Sequence, residues 1–265
     1  MNEHLSSTPA SQSLLAQPVP HSALLALWVN AWCAGSVSAD SLVDAMATIG
    51  TSRIVSARSN TSDQRSTGLI IGLAELGISP ASLQQPSMRV ALPTPGDPRG
   101  LPGPPALNML AIDAGQLAIV DALNIALLPT SGNNAAVMWE PRETASDLSS
   151  GAAVRPEEAP SAVRSALHSA MSALADLDLA TGEIAVSAHM LALSRALQKT
   201  PIPETTSGQD RHTIHTAATV IGICELALGD NPRQPTAVLE RERRRVLVEL
   251  SAIARHSLAA TCSAR

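Results

Sequence analysis

Apolar residues recur at helical spacing near the start of the chain. Steps of three and four residues put a set of them on one face of a helix. The members of this set are Leu24, Leu25, Trp28 and Trp32. Gly35 ends this helix, and a second helix runs from the Ser38 cap to Gly50. The pattern predicts a helical hairpin in which the two tryptophans anchor the core.

Short apolar runs bounded by turn-forming residues follow the hairpin and are typical of β-strands. The predicted strands span residues 53–57, 88–92, 117–120, 125–128 and 135–139. The polar stretch 59–67 is predicted to be a loop, and 69–76 has the pattern of a helix that ends at Gly77. The four residues 131–134, Ser-Gly-Asn-Asn, suit a hairpin turn. We therefore expect a small sheet, mixed or antiparallel, in this half.

The second half is periodic in a different way. Residues 144–160 are rich in Ser, Glu, Gly and Pro, and after them four amphipathic segments follow with short connections. This pattern predicts an antiparallel helical bundle that folds on its own. The fold class is α+β, and the predicted organisation is a disordered tail (1–18), an α/β domain (19–143), a linker (144–160) and the bundle (161–265).

Composition narrows the classes of partner. The formal net charge is −5 and the pI is near 5.8, so the field of the whole molecule repels nucleic acids and anionic membranes. Phe and Tyr are absent, which removes the aromatic platforms on which single strands stack. We expect no nucleic-acid and no membrane partner. A protein partner stays open, and so does the oligomeric state.

The three cysteines are widely spaced and form no C-x-x-C pair, so neither a disulfide framework nor a cysteine zinc site is indicated. The apolar stretch 22–33 lacks the basic leader of a signal peptide. A reducing compartment fits these features, and we expect a cytoplasmic protein.

The segment 91–105, Ala-Leu-Pro-Thr-Pro-Gly-Asp-Pro-Arg-Gly-Leu-Pro-Gly-Pro-Pro, is the most unusual stretch of the chain. Its prolines restrict the backbone and its three glycines free it, which predicts a stiff loop with sharp corners. Asp97 and Arg99 are its charged residues, and Gly96, Gly100 and Gly103 could leave backbone N–H groups open to an anion. A rigid connector that covers an edge of the sheet is the simpler interpretation, because the loop lacks a phosphate-binding spacing.

Two motifs carry a resemblance. Trp28-Val29-Asn30-Ala31-Trp32 in the first helix, together with the Leu-Pro-x-Pro-Gly-Asp-Pro-x-Gly-Leu-Pro-Gly-Pro loop at 92–104, resembles a group of uncharacterised proteins from GC-rich Gram-positive bacteria. The resemblance spans most of the chain. It implies no activity and no catalytic residues.

Two further clusters have simpler explanations than a site. His212 and His215 stand one helical turn apart, a spacing that can serve a metal, but two ligands do not make a site. The basic run 241–245, Arg-Glu-Arg-Arg-Arg, is predicted to be a solvated helix face with Glu240 paired to Arg244. Its alternative is contact with phosphate or with an acidic patch on a partner.

Signatures of common enzymes are absent. The chain has no Gly-x-Ser-x-Gly elbow, no His-Glu-x-x-His helix and no Gly-x-Gly-x-x-Gly, and the single lysine, Lys199, follows no glycine pattern of a P-loop. We therefore predict no catalytic residues, no metal site and no cofactor.

The function predicted from the sequence is a non-catalytic cytoplasmic binding or scaffolding protein. The alternative is an enzyme or small-anion binder that uses the loop 92–105, with Gly96, Asp97, Arg99, Gly100 and Gly103 as ligand-binding residues. An open pocket lined by this loop and by Arg or His from the helical half would favour the alternative. A loop packed flat against the protein would favour the non-catalytic binding or scaffolding protein.

Overall fold

A computed structural model describes residues 17–55, 66–82, 87–132, 136–145, 154–176, 183–229 and 237–263. Residues 1–16 of the predicted tail and 146–153 of the predicted linker lie outside the described residues, as do most of the polar loop 59–67 and part of the 131–134 turn.

Strands occupy the first half of the chain and long helices the second. The helices of the first half are α1 (His21–Cys33), α2 (Ala39–Ala47), α3 (Leu69–Glu75) and α4 (Pro105–Ala114). The strands are β1 (Ser52–Val55), β2 (Ser66–Gly68), β3 (Arg89–Ala91), β4 (Leu117–Val120), β5 (Ile125–Ser131) and β6 (Val137–Glu143). The later helices are α5 (Ala159–Asp176), α6 (Glu183–Gln198), α7 (Gly208–Gly229) and α8 (Ala237–Cys262). The α+β prediction is confirmed.

The six strands form one mixed sheet in the order β2-β1-β6-β5-β4-β3. Its pairs are antiparallel except β1 with β6, where Arg53 lies opposite Met138 in parallel register. β2 corrects the prediction of a loop at 59–67, because residues 66–68 pair with β1. The Arg53 guanidinium reinforces this edge by donating hydrogen bonds to the hydroxyl and the carbonyl of Ser66.

Each face of the sheet has its own apolar layer. Alternate residues of β4 divide between the two layers, since Ala118 and Val120 join the larger core while Leu117 and Ile119 join the smaller one. Helix α4 covers the smaller core together with Leu101, which comes from the proline-rich loop. The larger core is continuous from α1 to α8 and holds the two halves of the chain together.

Helix α1 ties the sheet to the helical half, and its Trp-x-Asn-x-Trp residues explain how. Trp28 and Trp32 are buried, as predicted for core anchors. The Trp28 indole Nε1 donates a 2.7 Å hydrogen bond to the carbonyl of Pro201. The Asn30 side chain accepts from the backbone N–H of Met88 and donates to its carbonyl, as a strand partner would.

In the helical half, α5 and α7 both pack against α8, and α6 packs against α7. Helix α8 also packs against α1 and β3, and Ser263, which follows it, accepts a hydrogen bond from the N–H of Val90. The last helix therefore covers the edge strand β3, and it passes beside the loop that follows that strand. The bundle arrangement and the domain boundaries stay predictions. Within the described residues, no helix combines the length and apolar character needed to cross a bilayer.

Candidate functional site

The proline-rich loop has two parts with different surroundings. In the first part, Thr94 and Asp97 exchange backbone hydrogen bonds of 3.2 and 2.8 Å around Pro95-Gly96. Gly96 has a φ of +89°, which suits the third position of a type II turn and which L side chains rarely adopt. The turn holds Asp97 and Arg99 at a sharp corner, as the sequence predicts.

The second part of the loop is packed. The backbone N–H of Gly103 donates to Asn108 Oδ1 of α4, and the carbonyl of Gly100 accepts from Arg89, which also pairs with Asp121. Leu101 is buried in the smaller core. Residues 100–105 thus match the interpretation of a rigid connector beside an edge strand, and the N–H of Gly103 has a partner within the protein.

Asp97 connects the turn to the last helix. Its carboxylate accepts two hydrogen bonds from the guanidinium of Arg99, at 2.6 and 2.9 Å. Nε2 of His256, in α8, lies 2.6 Å from Asp97 Oδ2, and His256 is buried. Since an ionised carboxylate can only accept, Nε2 carries the hydrogen of this bond. The contact joins residues that are 159 positions apart in the chain.

The protonation states of this pair follow from their surroundings. Burial opposes ionisation of Asp97, but the hydrogen bonds from Arg99 and His256 outweigh it and hold the pKa of this carboxyl at about 2. Burial lowers the pKa of His256, and the neighbouring Asp97 only partly offsets this effect. At neutral pH the pair is therefore an Asp97 carboxylate that accepts from a neutral imidazole.

An open groove runs between this turn and α8, with a volume of about 960 Å³. We call it the arginine groove. The loop contributes four lining residues, which are Gly96, Asp97, Pro98 and Arg99. Helix α8 contributes seven, which are Arg241, Arg244, Arg245, Val248, Glu249, Ala252 and Ile253. Of the five residues proposed from the sequence, Gly96, Asp97 and Arg99 line the groove, and Gly100 and Gly103 do not.

The residues from α8 recur at helical spacing and share one face of that helix. From Arg241 to Ile253 this face extends about 18 Å at a rise of 1.5 Å per residue. The positions progress from arginines at one end to Val248, Ala252 and Ile253 at the other, with Glu249, which pairs with Arg245, between them. His256, which holds the turn, follows the apolar end, so the loop faces that end of the helix.

One arginine of the basic run is buried and stabilises the fold, and the other three line the groove. Arg243 is buried, pairs with Glu240 and donates to the carbonyl of Ala227, which corrects the prediction that Glu240 pairs with Arg244. Arg245 pairs with Glu242 and Glu249. The side chains of Arg241 and Arg244 are exposed and make no hydrogen bond or ion pair within the part of the chain that the structure describes.

Four arginines and two carboxylates, those of Asp97 and Glu249, line the groove, so its walls are net positive on a molecule of charge −5. Sequence reasoning weighed the loop and the arginine run separately and missed His256 altogether. No local sequence signal connects the loop with the arginine run, because the turn and α8 come into contact only in the folded chain.

The two histidines of α7 lie elsewhere. His212 is exposed, and burial lowers the pKa of His215, with the charges of Arg211 and His212 adding to the effect. Over the described ranges, no three His, Cys, Asp or Glu side chains come together as a metal site would require.

Comparison with known proteins gives one family. The models of the Rv1486c-like protein N-terminal domain and C-terminal domain match residues 22–153 and 157–259. These two matches agree with the resemblance to proteins of GC-rich Gram-positive bacteria. No curated protein and no solved structure matches the chain.

Proposed function

The chain belongs to the Rv1486c-like family, and we propose from the geometry of the arginine groove that it is a non-catalytic binding protein that recognises an anionic group. The observation that carries this proposal is the convergence of arginines from two distant segments on one open groove. An open groove that is lined by the loop and by arginines of the helical half favours an anion binder, whereas a loop packed flat against the protein would not have done so.

Arg241 and Arg244 are the proposed contacts for the anion. An arginine guanidinium presents planar paired donors that match a carboxylate or a phosphate. Both side chains are exposed, whereas Arg99 and Arg245 already bind carboxylates of the protein itself. An incoming anion at Arg241 and Arg244 therefore displaces no internal ion pair of the described residues.

Asp97 serves as a positioning residue in this account. Its bonds to Arg99 and His256 hold the turn against α8, so the groove exists before the ligand arrives. A preformed site avoids the entropy cost of ordering a loop on binding. The bonds within the protein also explain why we assign Asp97 no contact with the ligand.

A cytoplasmic location is part of the proposal. All three cysteines are unpaired, and this supports a reducing compartment.

The test measures thermal unfolding of the full chain at low ionic strength with pyrophosphate, citrate or poly-glutamate. We expect these anions to raise the melting temperature, and added salt to reduce the effect by screening. In the double variant Arg241→Gln/Arg244→Gln the rise should disappear.

A matched control is the double variant Arg164→Gln/Arg195→Gln. It also removes two exposed helical arginines and the same net charge, but neither residue lines the groove. It should respond to the anions as the unaltered chain does. Equal responses from both double variants, or no response from the unaltered chain, would contradict the proposed function.

A further inference from the structure

The arginine groove differs in shape from a site that encloses a small molecule. Sites for small ligands bury most of the ligand in a concave cavity. The arginine groove instead lies open along one face of α8 for about 18 Å, given 1.5 Å per residue from Arg241 to Ile253. An inorganic anion would occupy only a small part of that length.

The lining is divided by chemistry along its length. One end has the guanidinium groups of Arg241, Arg244 and Arg245, and the other has the side chains of Val248, Ala252 and Ile253 beside Pro98. The carboxylate of Glu249 lies between the two ends and pairs with Arg245. Val248 is 49% exposed, although it is apolar and lies in the middle of a long helix. A ligand that satisfies both ends carries negative charge at one end and apolar groups at the other.

The spacing of the two arginines without described partners matches side chains on a peptide. Arg241 and Arg244 are one turn apart on α8, so two acidic side chains one turn apart on a helix, or two residues apart on a strand, could meet both. Carboxylates suit the paired donors of each guanidinium.

From this we propose, resting on the proposed function, that the ligand is an acidic segment of a protein partner that lies along α8. Its acidic residues bind Arg241 and Arg244, and the apolar residues that follow pack on Val248, Ile253 and Pro98. The positive walls of the groove attract such a segment, although the rest of the molecule has net negative charge.

The test uses two labelled peptides of about twelve residues, a length that spans about 18 Å as a helix. Both have the same composition of Glu, Ala and Leu. In the first, glutamates occupy one end and leucines the other, and in the second these residues are evenly mixed. Fluorescence anisotropy with the full chain should show the first peptide binding at least about tenfold more tightly than the second.

Two variants separate the contributions of the two ends. Arg241→Gln/Arg244→Gln should weaken binding of the first peptide at least about tenfold, while Arg164→Gln/Arg195→Gln should leave its affinity unchanged. Val248→Ser, at an exposed position, should weaken binding of the first peptide about threefold or more. It should leave the rise in melting temperature with pyrophosphate unchanged.

The outcomes distinguish the two proposals. If pyrophosphate stabilises the chain through Arg241 and Arg244 but the two peptides bind equally, the acidic-segment inference is overturned and the proposed function stands. If neither pyrophosphate nor either peptide binds, both are overturned. If Val248→Ser has no effect on the first peptide, the inference fails because the apolar end does not contribute.

Discussion

Trp28 supplies the fold with both apolar volume and a hydrogen bond. It is buried in the core that joins the two halves, and its indole N–H binds the carbonyl of Pro201. Truncation to Ala should therefore lower the free energy of unfolding by about 3 to 5 kcal/mol. Trp28→Phe loses the indole N–H and part of the ring volume but keeps the phenyl ring, so it should cost less. Urea denaturation of the two variants checks this, and equal losses would contradict it.

Asp97 should make the protein sensitive to acid. Its pKa is about 2 in the folded state against 3.8 for the free side chain, so the stabilisation is present above pH 4 and is lost as the pH falls toward 2. The shift corresponds to about 2 kcal/mol. The lowered pKa of His256 acts in the same direction, because the unfolded chain binds its proton first as the pH falls below 6.5.

Denaturant unfolding measured from pH 7 to pH 2.5 tests this for the unaltered chain and for Asp97→Asn. The variant should lose less stability than the unaltered chain between pH 4 and pH 2.5. Parallel pH profiles would show that Asp97 is not held ionised by its partners.

At the scale of single residues, the sequence predicts part of the site. The prolines and glycines predict the turn, and in the structure Asp97 and Arg99 form an ion pair within it. His256 could not be predicted, because it lies in a helix with no motif around it and its partner is 159 residues away. Only the packing of α8 against β3 brings the two together.

Among the elements, α3 packs on β1 through a glycine. A Cβ added to Gly72 would lie 2.5 Å from the Cβ of Ile54, which cannot move without shifting the strand. A Cβ on Gly222 of α7 would meet a terminal methyl of Leu193 at 2.7 Å, and that methyl can rotate away.

We therefore expect Gly72→Ala to destabilise the protein by about 1 to 3 kcal/mol. Gly222→Ala should be nearer to neutral, since alanine also favours the helix. Thermal melts of the two variants provide the comparison. A larger loss from Gly222→Ala would contradict the described packing of α3 on β1.

The helices and most strands follow from sequence periodicity, and the exceptions have physical reasons. β2 has three residues, Ser-Thr-Gly, with no apolar alternation, so its strand character arises from pairing with β1 and from the bonds of Arg53. β5 and β6 run beyond their predicted ends through Pro129 and Pro141, which are residues that rarely continue a strand.

For the whole molecule, the larger core is shared by the two halves. Helical periodicity alone favours independent folding of the second half, but α1 and β3 pack against α8, and Trp28 bonds to Pro201. Removing the first half would expose the apolar residues of α8 that α1 and β3 cover. Because the two halves share this core, we expect the stability of each half to depend on the other.

We expect residues 154–265 expressed alone to melt at a lower temperature and less cooperatively than the full chain. Circular dichroism at equal concentration measures this. A cooperative transition at the temperature of the full chain would show that the second half does not need the first.

The central claim is that the turn at 94–99 and the face of α8 from Arg241 to Ile253 form one binding surface. Hydrogen–deuterium exchange of the full chain, with and without the peptide whose glutamates and leucines are segregated, tests it most directly. The account predicts slower exchange on binding in both segments, and loss of this protection in Arg241→Gln/Arg244→Gln. Protection confined to other helices, or found in only one of the two segments, would contradict it.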